Sequence, residues 1–99
     1  MNLKPSFGRV IIRPEAEHTS KRLIIPEAFK KHANLGEVLA VGPGRRHING
    51  EVYPPPFKVG DRVMFDRARA FQFEFDGDAV VMVDDDGVLA VLPAAVDGN

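Results

Sequence analysis

Cysteine is missing from this 99-residue sequence, and its absence removes disulfide frameworks, thiolate zinc sites and thiol nucleophiles from consideration. Charge of either sign is also nearly missing in net terms. Thirteen Lys and Arg stand against fourteen Asp and Glu, a balance of −1, so no bulk field draws the chain to nucleic acid or anionic lipid. No apolar run approaches the length needed to span a bilayer. Met1-Asn2-Leu3-Lys4-Pro5 leads at once into a strand-like segment, which leaves no room for a signal or transit peptide. Together these absences predict a cytoplasmic protein held in a reducing compartment. There is no long polar or repetitive tract, and a hydrophobic content of 44% suits one globular domain over residues 1–99.

What is present is a series of short β-type segments. Gly8 to Arg13 is a β-branched run closed by Pro14, Gly36 to Val41 ends at Gly42-Pro43-Gly44, and Asp61 to Phe65 follows the turn-like Val59-Gly60, each reading as a strand. Asn49-Gly50 suits a type I′ turn, so His47 to Val52 is predicted as a tight hairpin tip. Phe71-Gln72-Phe73-Glu74-Phe75 alternates strictly, which puts three rings on one strand face; core packing is the expected role of that stripe, over an exposed surface. Asp76-Gly77 turns the chain into Ala79 to Val83, Val88 to Leu92 forms the last strand, and residues 93–99 read as a frayed tail. Six or so strands with frequent turns and little helix predict an all-β fold, a small irregular barrel.

One stretch breaks the pattern. Residues 15–35 are far longer than an ordinary connection and mostly polar or charged, except for Leu23-Ile24-Ile25 followed by Pro26. Composition weighs that island equally as a core strand and as an exposed docking motif. Pro26 to Gly36 also admits a short helix, with Pro at its first position and Gly after its end.

Residues that carry chemistry elsewhere find no setting here. His18, His32 and His47 lack the spacing of paired metal ligands, and Asp84-Asp85-Asp86-Gly87 lacks the alternating ligands of a calcium loop, so it reads as a solvated turn. Gly42-Pro43-Gly44-Arg45-Arg46 matches no phosphate-loop pattern, and Pro43 removes a backbone donor. Ser6 and Ser20 have no evident base, and Glu15 and Glu17 lie in polar sequence. No catalytic residue, metal ligand or cofactor site is predicted.

Taken in order, Leu3-Lys4-Pro5, Gly8-Arg9-Val10-Ile11-Ile12, Gly36 to Gly44, Asn49-Gly50-Glu51-Val52, Lys58 to Phe65 and the closing segments Val80 to Val83 and Val88 to Leu92 resemble the GroES, or chaperonin 10, family nearly end to end. The resemblance implies a GroES-like β-barrel that assembles as a homo-heptamer and forms a lid on an ATP-bound GroEL-type chaperonin, with client protein enclosed beneath it. It makes residues 15–35 a mobile loop whose Leu23, Ile24, Ile25 and Pro26 dock on the chaperonin. Residues 45–53 become a roof hairpin tipped by His47, Ile48, Asn49 and Gly50. Leu3, Lys4 and Pro5 are expected to pair with Val88, Leu89, Ala90, Val91 and Leu92 of a neighbouring subunit. ATP belongs to the partner, and the chain itself needs no cofactor. Two positions depart from the family pattern: Gly8 replaces an acidic residue or Asn, and Lys21-Arg22 replace paired glycines.

The competing reading is an SH3-like or OB-like barrel that binds nucleic acid or a protein tail, since such barrels share the Val59-Gly60-Asp61 type of turn. Its basic pairs, Lys30-Lys31, Arg45-Arg46 and Arg67/Arg69, are too scattered for the basic aromatic face that single-strand binding needs. The catalytic domain of zinc alcohol dehydrogenases fails for want of cysteine.

Overall fold

A computed structural model describes residues 3–15 and 33–92. Its strands are β1 (Arg9–Pro14), β2 (Ala33–Val41), β3 (Arg45–Arg46), β4 (Val52–Tyr53), β5 (Arg62–Asp66), β6 (Phe71–Phe75), β7 (Asp78–Asp84) and β8 (Val88–Leu92). Six of them form one antiparallel sheet in the order β6-β7-β1-β2-β5-β8, and β3 pairs with β4 in a separate hairpin. Two 3₁₀ turns, Arg67–Arg69 and Asp85–Gly87, lead into the edge strands β6 and β8. The fold is the all-β barrel that the sequence predicts.

Val10, Ile11 and Ile12 are all fully buried, because apolar surface covers both faces of the central strand β1. Val10 and Ile12 point into the main cluster with Val38, Phe65 and Val83. Ile11 points the other way, to Ala40 and Val80, where Leu3, Leu39 and Phe73 pack over it. Ala70 and Val88, at the entrances to the two edge strands, pack on the same interior cluster, so the sheet curls and its edges approach at that end.

Three expectations need correction. The Phe71-Phe73-Phe75 stripe is core only in part: β6 is an edge strand, Phe71 is 65% exposed, and Phe73, which packs on the Ile11 cluster, and Phe75 are half-buried. The Asn49-Gly50 turn is not type I′, which needs positive φ at both central residues. Asn49 does not share the positive φ; the tip is a three-residue loop closed by Gly50 N–H to the His47 carbonyl and His47 N–H to the Glu51 carbonyl, with only Gly50 (φ 89°) in the left-handed region. Asp76-Gly77 instead has both φ values positive, 53° and 84°, and joins β6 to β7 directly at the Phe75–Asp78 pair.

The third concerns the long connection. Strand β2 begins at Ala33 rather than Gly36, so Ala33–Leu35 belong to the sheet rather than to a loop, and Glu15, just past the end of β1, donates its N–H to the Leu35 carbonyl at 2.8 Å. Residues 33–36 are therefore strand where a helix end was expected. Backbone groups there gain ladder partners from β1 and β5 that no short helix supplies. Residues 16–32, with Leu23, Ile24, Ile25 and Pro26, lie outside the described residues, as does the tail 93–99.

Candidate functional site

No three His, Asp or Glu side chains gather as metal ligands among the described residues. No helix among them is long and apolar enough to cross a membrane. Of the histidines only His47 is described, and its ring lies 3.9 Å from that of Tyr53. What the barrel presents are three structural platforms: the foot of the long connection, the hairpin tip, and two unpartnered segments.

The foot is built from paired strands. Pro14 stands opposite Gly36 in the β1–β2 ladder, and the same end of β2 pairs with β5, so the chain leaves and re-enters the sheet at neighbouring positions. The Arg62 guanidinium, on β5, donates twice to the Glu15 carboxylate, at 2.5 and 2.6 Å. The pair is partly shielded, with side chains 16% and 30% exposed, so it is less screened than a surface pair. Arg13 and Glu37 make a second, more exposed pair at 3.4 Å. Sequence alone gave no hint of Glu15–Arg62, whose members are 47 positions apart.

The hairpin of β3 and β4 has His47, Ile48, Asn49 and Gly50 at its tip. Asn49 Oδ1 accepts from the Glu51 N–H at 3.0 Å, and the Tyr53 hydroxyl donates to Glu51 at 3.1 Å, which stiffens a short ladder of two residue pairs. Ile48 is wholly exposed. At the base, Arg45 donates to both carboxylate oxygens of Asp85 and pairs with Asp86 at 3.2 Å. The hydrogen bond that Arg45 donates to Asp85, aided by the charges of Asp85 and Asp86, raises the Arg45 pKa above its ordinary value. The acidic run is thus more than a solvated turn: Asp84 accepts the Gly87 N–H at 3.0 Å and caps the 3₁₀ turn, while Asp85 ties that turn to the hairpin.

Leu3, Lys4 and Pro5 lie beside the sheet, with Leu3 half-buried, Lys4 exposed and Pro5 buried. Among the described residues no backbone hydrogen bond reaches any of the three. Among the described residues strand β8 pairs only with β5 in the sheet and has no partner on its other backbone edge; Leu89 and Val91 are exposed on it, and Val88, Ala90 and Leu92 are half-buried. An open strand edge with apolar side chains is a surface that a further strand can complete.

Comparison with known proteins covers the same extent. The family model for the chaperonin 10 kDa subunit matches residues 2–92. A co-chaperonin GroES of Polynucleobacter asymbioticus is 39% identical over 94 residues, 93% of this chain and 98% of that one. One from Dechloromonas aromatica is 40% identical over 96 residues, 95% of this chain and 100% of its own. A third, from Hydrogenobaculum, is 35% identical over 95 residues, 93% and 99% of the two chains.

Proposed function

The chain belongs to the chaperonin 10 family, and from that premise we propose that it is a co-chaperonin whose seven-membered ring caps a GroEL-type chaperonin in the cytoplasm and encloses client protein. The observation that carries this reading is the match to co-chaperonins over nearly the whole length of both chains. In it, Leu23, Ile24, Ile25 and Pro26 form the docking motif, Leu3 to Pro5 meet Val88 to Leu92 of the next copy, and His47 to Gly50 line the roof. The lid performs no chemistry and takes no cofactor; ATP acts on the chaperonin.

Energetics suit a lid that must open as well as close. Burying three large aliphatic side chains is worth roughly 1.5–3 kcal/mol each, while ordering each residue of an arm costs about 1–2 kcal/mol, so one arm docking alone nearly cancels. Several arms fixed in one ring turn later contacts into intramolecular ones and raise avidity by orders of magnitude, while each contact stays reversible. The barrel's part is to hold the arms in register. Its Glu15–Arg62 pair secures the point where each arm leaves the sheet.

Ile24→Asp tests the reading. The variant is expected to keep the circular dichroism and native mass of the parent and to lose binding to an ATP-loaded chaperonin in surface plasmon resonance. Normal binding by a folded Ile24→Asp ring would remove the docking motif from this segment.

A further inference from the structure

Strand β6 ends the sheet on the side away from β8, and among the described residues nothing pairs with its outer backbone edge. The turn after it decides which groups lie there. Phe75 and Asp78 flank the loop Asp76-Gly77, whose φ values are both positive, the turn type in which the first flanking carbonyl accepts the N–H of the second. Phe75 therefore gives its backbone groups to β7. Pairing alternates along an antiparallel ladder, so Phe73 and Phe71 do the same, while Gln72 and Glu74 aim N–H and C=O outward. Gln72 stands opposite Val81, which is interior, yet Gln72 and Glu74 are both exposed; the barrel does not close over this strand. A strand edge that is open and rich in aromatics is a template for another strand.

The charges along this edge are self-complementary. Arg67 and Arg69 precede β6, Asp76 and Asp78 follow it, and all four are exposed. We infer that β6 is the docking edge for β6 of a second copy of this chain, antiparallel about a two-fold axis at Phe73. The axis sets the cationic end of each segment against the anionic end of the other. In that register Gln72 faces the partner's Glu74, their outward backbone groups exchange hydrogen bonds twice over, and Phe71 faces the partner's Phe75. The two neighbouring registers are poorer. One sets Glu74 against the partner's Glu74, like charges directly opposite; the other sets Gln72 against the partner's Gln72 and leaves Glu74 opposite Ala70, outside the strand. A two-fold contact is isologous, whereas the subunits of a ring meet head to tail, so this one joins chains that are not ring neighbours and stands apart from the ring reading.

The lack of cysteine opens the pairing to disulfide trapping. Q72C and E74C chains, one of them carrying a mass tag, are mixed and air-oxidised under native conditions. The mixed Q72C–E74C product is expected to dominate, because directly opposed residues lie within disulfide reach and residues displaced by two do not. The parent is expected to sediment partly at twice the mass of its unpaired form, whether that form is a chain or a ring. R69D and D76R should each weaken this association at least about tenfold, and R69D/D76R in one chain should restore it, a recovery that a folding defect cannot produce. Q72P deletes an N–H that the single chain leaves outside its own ladder; with circular dichroism unchanged, it is expected to abolish the doubled species. A parent with no doubled species, like-with-like disulfides in place of the mixed one, a folded Q72P that still doubles, or a charge-swapped chain as weak as its single variants overturns the β6 pairing and leaves the ring reading untouched.

Discussion

A Cβ atom added to Gly8 would lie 2.8 Å from Oδ2 of Asp85, the carboxylate that holds Arg45 at the base of the β3–β4 hairpin. That contact gives a physical reason for the glycine at a position where an acidic residue or Asn is the expected pattern: a longer side chain, above all an acidic one, would push Asp85 off Arg45. The two positions should therefore be coupled. Gly8→Ala is expected to destabilise the parent and to cost less in an Asp85→Ala background, with a coupling of at least about 0.5 kcal/mol from urea unfolding at one fixed protein concentration. Strict additivity would show that Asp85 swings aside freely.

Glu15→Gln removes one charge from the pair with Arg62 while keeping its shape. The pair is intermediate in exposure, so the loss should fall between that of surface and buried pairs, about 1–2 kcal/mol. Raising salt should narrow the gap between variant and parent, because screening weakens the parent's pair and leaves the amide untouched. A gap that ignores salt would assign the cost to hydrogen-bond geometry rather than charge.

Strands β6 and β8 were legible to the residue, because each is bounded by turn residues and either alternates or runs apolar. The aromatic stripe was legible as a strand but not as a surface, since alternation says that one face is apolar and is silent on whether another strand lies beyond it. The hairpin was legible from Asn49-Gly50, yet its turn class was not: the sequence pair fits two loop lengths, and the geometry uses Gly50 alone. The start of β2 was hidden because Ala33-Asn34-Leu35 has little β propensity and is strand by virtue of its ladder with β5. Glu15–Arg62 and Arg45–Asp85 join residues 47 and 40 positions apart, and no local pattern marks such pairs. The proposed docking motif rests on family resemblance, because three aliphatic residues before a proline look the same in a core strand.

Ile48→Asp places a charge on a tip residue that touches no core. Its effect on unfolding free energy should stay within about 0.5 kcal/mol, as measured by urea denaturation. A larger loss, growing with protein concentration, would mean that the tips of adjacent copies meet in the proposed ring and that Ile48 is buried there.

Two glycines should respond to alanine for opposite reasons. At Gly36 the φ is ordinary, but an added Cβ would press on the Ile12 side chain and lie 2.6 Å from the Arg13 carbonyl oxygen. That oxygen is backbone in the paired strand β1, so it cannot move without disturbing the ladder, and Gly36→Ala is expected to cost about 1–3 kcal/mol as overpacking. At Gly50 nothing lies within 4 Å of the added atom, yet φ is +89°, and Gly50→Ala should cost about 1 kcal/mol through backbone strain alone. Asn, which tolerates positive φ, separates the two mechanisms: Gly50→Asn should recover part of the loss at the tip, while Gly36→Asn should be worse than Gly36→Ala. Urea midpoints of the four variants decide it, and recovery at position 36 would refute the steric account.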